Sequence, residues 1–121
     1  MPKKIFIIDD DLGLQTVLGL TLKDAGYEVA SAADGQEGIE QLSEVRPDLV
    51  LSDVMMPYVD GVQVFEALKE RLRDDGIPIV IMTALSRKPW FADLEAEGAV
   101  ILQKPFEIDR LLAIIGMLLD E

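Results

Sequence analysis

Side chains able to do chemistry stand at the ends of the apolar runs of this chain. Asp9, Asp10 and Asp11 follow Ile5 to Ile8 directly, and Asp53 follows Leu49 to Leu51 within the stretch from Pro47 to Gly61. Thr83 closes the run from Ile77 to Met82, and Lys104 comes after Ala99 to Leu102. In an open α/β sheet the carboxyl ends of parallel strands share one edge, so these groups can converge although they lie far apart in sequence. Close carboxylates repel, and a divalent cation with oxygen ligands relieves that repulsion most simply. Lys104 would then pair with an anion beside the cation, and Thr83 could donate a hydrogen bond to it. A phosphoryl group satisfies all three demands. Its transfer depends on positioning and charge neutralisation, and an aspartate can accept it as an aspartyl phosphate. The plainer role for Asp53, capping a loop beside Pro57 and Gly61, loses ground because the other strand ends point to the same place.

Composition narrows the chemistry. The 121 residues contain no cysteine and no histidine, which excludes disulfides, thiolate chemistry, a Ser-His-Asp site, a His-ligated metal and a phosphohistidine carried on this chain. Any metal is expected to be a hard cation held by oxygen, such as Mg²⁺. The net charge of −12 argues against nucleic-acid binding, which draws on clustered Lys and Arg. Four apolar residues after Lys4 are too few for a secretory signal, and Leu111 to Leu119 is far short of the roughly 18 residues of a membrane span. The expected compartment is the cytoplasm. The expected organisation is one domain, residues 1–121, with no segment left for an output module.

The elements that must position the site follow from periodicity. Ile5 to Ile8 reads as a buried strand. Leu14, Val17, Leu18, Leu22 and Ala25 recur at helical spacing up to Gly26. Tyr27 to Ala32 is a weaker strand, and Asp34 caps a helix with Ile39, Leu42 and Val45 on its apolar face, ended by Pro47. Val64, Phe65, Leu68 and Leu72 mark a third helix. Ser86 to Glu97 reads as a fourth, with Pro89 in its first turn or breaking it. Ile108, Leu111, Leu112, Ile115, Leu118 and Leu119 form the face of a fifth. Five strands alternating with five helices imply an α/β fold, a parallel sheet with helices on both faces.

With these residues in place, the chain resembles a receiver domain of the bacterial response-regulator family, which has the flavodoxin-like (βα)5 fold of chemotaxis regulators. The resemblance rests on Ile-Phe-Ile-Ile-Asp-Asp-Asp, on Pro-Asp-Leu-Val-Leu-Ser-Asp-Val-Met-Met-Pro, and on Asp60-Gly61, Ile81-Met82-Thr83-Ala84 and Lys104-Pro105-Phe106. It implies that Asp53 accepts a phosphoryl group from a phosphohistidine on a sensor histidine kinase or phosphotransfer protein. It further implies that Asp10 binds Mg²⁺ directly, that Asp9 assists, and that the backbone carbonyl of Met55 completes the protein ligands beside Asp53. Thr83 and Lys104 would contact the phosphoryl oxygens, Ala84 leaves room for them, and the bond before Pro105 is expected to be cis. Signalling would pass to a downstream protein target or output domain, with no direct nucleic-acid or membrane contact and no turnover beyond self-phosphorylation and autodephosphorylation.

Some residues depart from the pattern or carry plainer roles. Asp11 is assigned to a helix start, where the macrodipole favours a carboxylate, and Trp90 and Phe91 to packing. Ile101 stands where receivers of this type usually have Tyr or Phe, and the interval from Gly98 to Lys104 is one residue shorter than usual. Phosphorylation is therefore expected to reshape residues 84 to 106 without an aromatic flip. A rival is a haloacid-dehalogenase-like phosphohydrolase with Asp9 as its hydrolytic aspartate, which leaves Asp53 without a role; a second is a pseudo-receiver, against which the complete acidic set argues. Tyr58 replaces a common Gly. Met55 and Leu85 are apolar where a side chain could orient the hydrolytic water, so the phosphoryl group should be lost slowly. Replacing Leu85 by Asn should shorten the phosphoryl lifetime several-fold in a decay time course; a lengthened lifetime would contradict this account.

Overall fold

The computed structural model describes residues 2–56 and 59–120; the turn expected at Pro57 and the departure at Tyr58 lie outside them. The elements run β1 (Lys4–Ile8), α1 (Leu12–Asp24), β2 (Glu28–Ala32), α2 (Gly35–Val45), β3 (Leu49–Asp53), α3 (Gly61–Asp75), β4 (Ile79–Thr83), α4 (Pro89–Ala96), β5 (Val100–Gln103) and α5 (Ile108–Leu118). The strands form one parallel sheet in the order β2-β1-β3-β4-β5, the flavodoxin-like order. The chain runs outward from β1 in opposite directions, so a crevice opens beyond the carboxyl ends of β1 and β3.

Alternation along each buried strand divides the core in two. Phe6, Ile8, Val50, Ile79 and Ile81 face one side, against Leu42 of α2, Val64, Phe65, Leu68 and Leu72 of α3, and Leu94 of α4. Ile5, Ile7, Leu49, Leu51, Val80 and Met82 face the other, against Leu18 and Leu22 of α1 and Leu111 and Ile115 of α5. This double burial fixes the register. Ile8 lies opposite Ser52, Asp53 opposite Met82, and Thr83 opposite Gln103, so Asp9 comes level with Asp53 and Lys104 stands one residue beyond Thr83.

The helix starts differ in how firmly they are fastened. Asp11 and Asp34 accept from the backbone N–H groups of Leu14 and Glu37, as N-caps do. Asp60 and Gln63 form a reciprocal capping box at α3. The fourth helix is shorter than Ser86 to Glu97 suggests: it begins at Pro89, and its N-cap Lys88 makes no side-chain cap bond. Proline suits the first helical position but pushes the residue before it into extended backbone, so Ser86 to Lys88 stay outside. Val17 also departs from expectation, being 57% exposed. Only Leu14, Leu18 and Leu22, each four residues apart, share the stripe that faces the sheet.

The start of α3 presses against the backbone at the end of β3. A Cβ at Gly61 would lie 2.4 Å from the Asp53 carbonyl oxygen and 2.8 Å from Val54 Cα, distances no real side chain tolerates, and Gly61 N–H donates to the Val54 carbonyl at 2.9 Å. Gly61→Ala should therefore destabilise the protein by about 1–3 kcal/mol, the usual cost of overpacking, and shift the amide resonances of residues 52 to 55. Gly26→Ala has open space at φ 99°, so only backbone strain applies and those resonances should stay in place. Urea unfolding and amide spectra of the two variants check both expectations.

Candidate functional site

Three consecutive aspartates after β1 take three different environments. Asp9 is fully buried, and its Oδ1 accepts from Asp11 N–H at 2.9 Å. Asp10 is exposed at the rim, and Asp11 is the cap of α1. Asp53, the last residue of β3, is 6% exposed. Carboxylate oxygens of Asp9, Asp10 and Asp53 all lie within 4.8 Å of one another.

Lys104 and Thr83 complete the edge. Lys104 Nζ donates to Asp53 Oδ1 at 2.8 Å, with side-chain exposures of 25% and 9%. Its backbone N–H donates to the Thr83 carbonyl at 2.7 Å, which locks the lysine to the end of β4. Thr83 is fully buried, and its Oγ1 accepts from Leu85 N–H at 3.0 Å. Ala84 and Met55 are exposed beside the site, and the Lys104–Pro105 bond is cis. The five side chains anticipated at the strand ends thus gather on one edge of the sheet.

Two glutamines went unnoticed in the sequence. Gln15 Nε2 donates to the carbonyls of Ala32 (2.8 Å) and Asp9 (3.3 Å), binding α1 to the ends of β1 and β2. Gln103 Nε2 donates to the Leu85 carbonyl at 2.7 Å. These bonds end on single carbonyls at or just past strand ends, which no periodic signal in the sequence marks. Trp90 and Phe91 pack as expected: Phe91 is fully buried, Trp90 is half-buried, and their rings meet edge to face at 4.5 Å.

The electrostatics are those of a site built around an excess of negative charge. Burial pushes the Asp9 carboxyl above its ordinary value; the Asp11 N–H opposes this, the Asp53 charge adds to it, Lys104 opposes, and Asp10 adds slightly. Asp9 Oδ2 is buried without a hydrogen-bond partner among the described residues. A buried carboxylate oxygen left unsatisfied is costly. With two further carboxylates in reach, it fits a hard divalent cation, which takes carboxylate and carbonyl oxygens.

A family model described as the response regulator receiver domain matches residues 5–116. The response regulator MprA of Mycolicibacterium vanbaalenii is 39% identical over 120 residues, which is 98% of this chain and 51% of that protein; the chain therefore spans about half the length of this relative. The chemotaxis protein CheY4 of Vibrio cholerae superposes with a TM-score of 0.86 at 32% identity, covering 98% of this chain and 99% of that one. The response regulator TrrA of Thermotoga maritima, solved with Mg²⁺ and BeF, superposes with a TM-score of 0.83 at 27% identity over 96% of this chain and 98% of its own.

The raised Asp9 value has a definite sign. The folded protein binds its proton more tightly than the unfolded chain, so the contribution of Asp9 to stability falls as pH rises from the ordinary carboxylate value through the raised one. Above that window the ionised, buried carboxylate opposes folding. In metal-free buffer at about pH 7, Asp9→Asn should melt higher than the parent, and the difference should shrink as the pH falls through the raised value towards the ordinary carboxylate range of about 4. Thermal melts across that range measure it.

Proposed function

The chain belongs to the response regulator receiver domain family of two-component systems, and we propose that residues 1–121 act as one receiver domain that takes a phosphoryl group onto Asp53. The observation that carries this reading is the Lys104–Asp53 ion pair of 2.8 Å set beside the carboxylates of Asp9 and Asp10. Only a carboxylate that is held, aimed and partly screened in this way is ready to meet a dianionic group.

The donor is a phosphohistidine on a sensor histidine kinase or phosphotransfer protein, since this chain carries no histidine of its own. An Asp53 carboxylate oxygen attacks phosphorus, the P–O bond forms as the P–N bond breaks, and the electron pair stays on the donor imidazole, which takes up a proton. Asp9, Asp10, Asp53 and the backbone carbonyl of Met55 would hold Mg²⁺, which supplies charge neutralisation to the phosphoryl oxygens. Lys104, already at Asp53, serves as counter-ion to those oxygens, and Thr83 donates to one of them. Ala84 adds no bulk at the approach. The only chemistry is self-phosphorylation and the later loss of the group, so the protein signals rather than turns over a substrate.

The dehalogenase-like alternative with Asp9 as nucleophile is not favoured. Asp9 is fully buried, whereas Lys104 engages Asp53. No described helix is long and apolar enough to cross a membrane; a cytoplasmic setting, and an output through a downstream protein or a further domain, belong to this proposal.

Acetyl phosphate with Mg²⁺ should add one phosphoryl group to the parent, seen by intact mass, and Asp53→Asn should lose this labelling entirely. Asp10→Asn should need far more Mg²⁺. Phosphate turnover that persists in Asp53→Asn would overturn the assignment in favour of Asp9. In the same preparations, Mg²⁺ should raise the melting temperature of the parent progressively with concentration, as a ligand of the native state does, and leave that of Asp9→Asn nearly unchanged.

A further inference from the structure

Leu85 is gripped at both of its backbone polar groups. Its N–H donates to Thr83 Oγ1 at 3.0 Å, and its carbonyl accepts from Gln103 Nε2 at 2.7 Å. The two grips come from opposite partners: Thr83 ends β4, and Gln103 lies directly across from it at the end of β5. The side chain of Leu85 packs, half-buried, on the core shared by α2, α3 and α4. Everything from Ala84 to Lys88 is irregular, so these bonds are what hold the segment to the sheet edge.

That segment is continuous with α4. Arg87 pairs with Glu95 of α4, and its guanidinium lies 5.9 Å above the Phe91 ring. Leu94 and Trp90 pack on the same core as Leu85. A shift of Leu85 therefore reaches α4 through Arg87 and through shared packing. The helix is eight residues long and lacks a side-chain cap, so it yields more readily than α3.

Resting on the reading of Asp53 as acceptor, we propose that Gln103 is a positioning residue that holds the segment 84–88 in its unphosphorylated place and so sets how readily the site accepts a phosphoryl group. If Thr83 Oγ1 moves towards an oxygen on Asp53, the Leu85 N–H that donates to it must follow or let go. Following stretches the Gln103 bond at the other side of the same residue. The Gln103 bond thus belongs to one of two arrangements, and a bond made in only one state biases the equilibrium towards that state. By linkage, removing it favours the other arrangement and tightens whatever ligand that arrangement binds. The coupling requires no aromatic at position 101, where this chain has a half-buried Ile101.

Trp90, the single tryptophan of the chain and the second residue of α4, is a built-in reporter. The probe is beryllofluoride with Mg²⁺, a stand-in for the phosphoryl group, titrated against Trp90 fluorescence. The proteins are the parent, Gln103→Met, Gln103→Ala and Asp53→Asn. Methionine keeps the length of glutamine without its donor. Both Gln103 variants should saturate at lower beryllofluoride concentration, by roughly fivefold, the factor that matches one hydrogen bond of ordinary net strength. Amide resonances of Leu85 and Ser86 in the ligand-free variants should move part of the way towards their positions in the beryllofluoride-bound parent. If the parent responds while both variants keep its affinity or bind more weakly, Gln103 is only structural and the proposal falls, whatever their melting temperatures. If the parent itself gives no response at Trp90 or in its amide spectrum, the Asp53 assignment falls and takes this inference with it.

Discussion

The structure is organised around the mutual repulsion of carboxylates held at one edge of a parallel sheet. Asp9, Asp10 and Asp53 bring their oxygens within 4.8 Å, and two of the three are buried. Charges at such spacing, taken out of water, oppose folding unless something offsets them. The protein supplies one ammonium, Lys104, and one backbone donor, Asp11 N–H. That is less positive charge than the cluster carries negative. A divalent cation held by these oxygens would supply the remainder, which is the physical sense in which the edge fits a cation.

Such an edge requires a scaffold that does not give way. Parallel strands buried on both faces provide it, since a register slip of one residue would exchange Phe6, Ile8, Val50 and Ile81 with Ile5, Ile7, Leu51 and Val80 between two differently shaped cores. The same register sets Asp9 level with Asp53 and Lys104 just past Thr83. Gly61 lets α3 close on the Asp53 backbone, and the capping box at Asp60 and Gln63 keeps it there. Asp53 is thus fixed by packing that has no chemistry of its own.

Much of this was legible in the sequence, for a definite reason. Apolar runs of strand length followed by polar residues mark strand ends, and the alternation of strands and helices puts those ends on one edge. Asp53, Thr83 and Lys104 could therefore be singled out before any contact was known. The three aspartates after β1 could not be separated with equal force, because burial is a property of the fold: one residue's difference in position decides whether a carboxylate lies under the sheet edge, at its rim, or on a helix start. Val17 misled for a related reason. A helix turns about 100° per residue, so a residue beside the core stripe has the same sequence signature as one within it. Gln15 and Gln103 were invisible because their partners are backbone carbonyls at strand ends and in the loop after β4, reached only after the chain has folded.

The unequal fastening of the helices gives the edge a direction in which to pass on a change. A rigid sheet and a capped α3 leave little room for movement at β3, so a new group on Asp53 is felt where the restraints are fewest. Restraints are few after β4. The segment from Ala84 to Lys88 has no regular structure, and the helix it feeds is short, begins on a proline and has no capping side chain. Thr83 and Gln103, on paired strands, hold that segment by its two ends of one residue, Leu85. On the proposed reading a signal would leave the site through α4 without a rotating aromatic ring, because the backbone of Leu85 joins Thr83, the hydroxyl proposed to meet the phosphoryl oxygens, to the segment that leads into that helix.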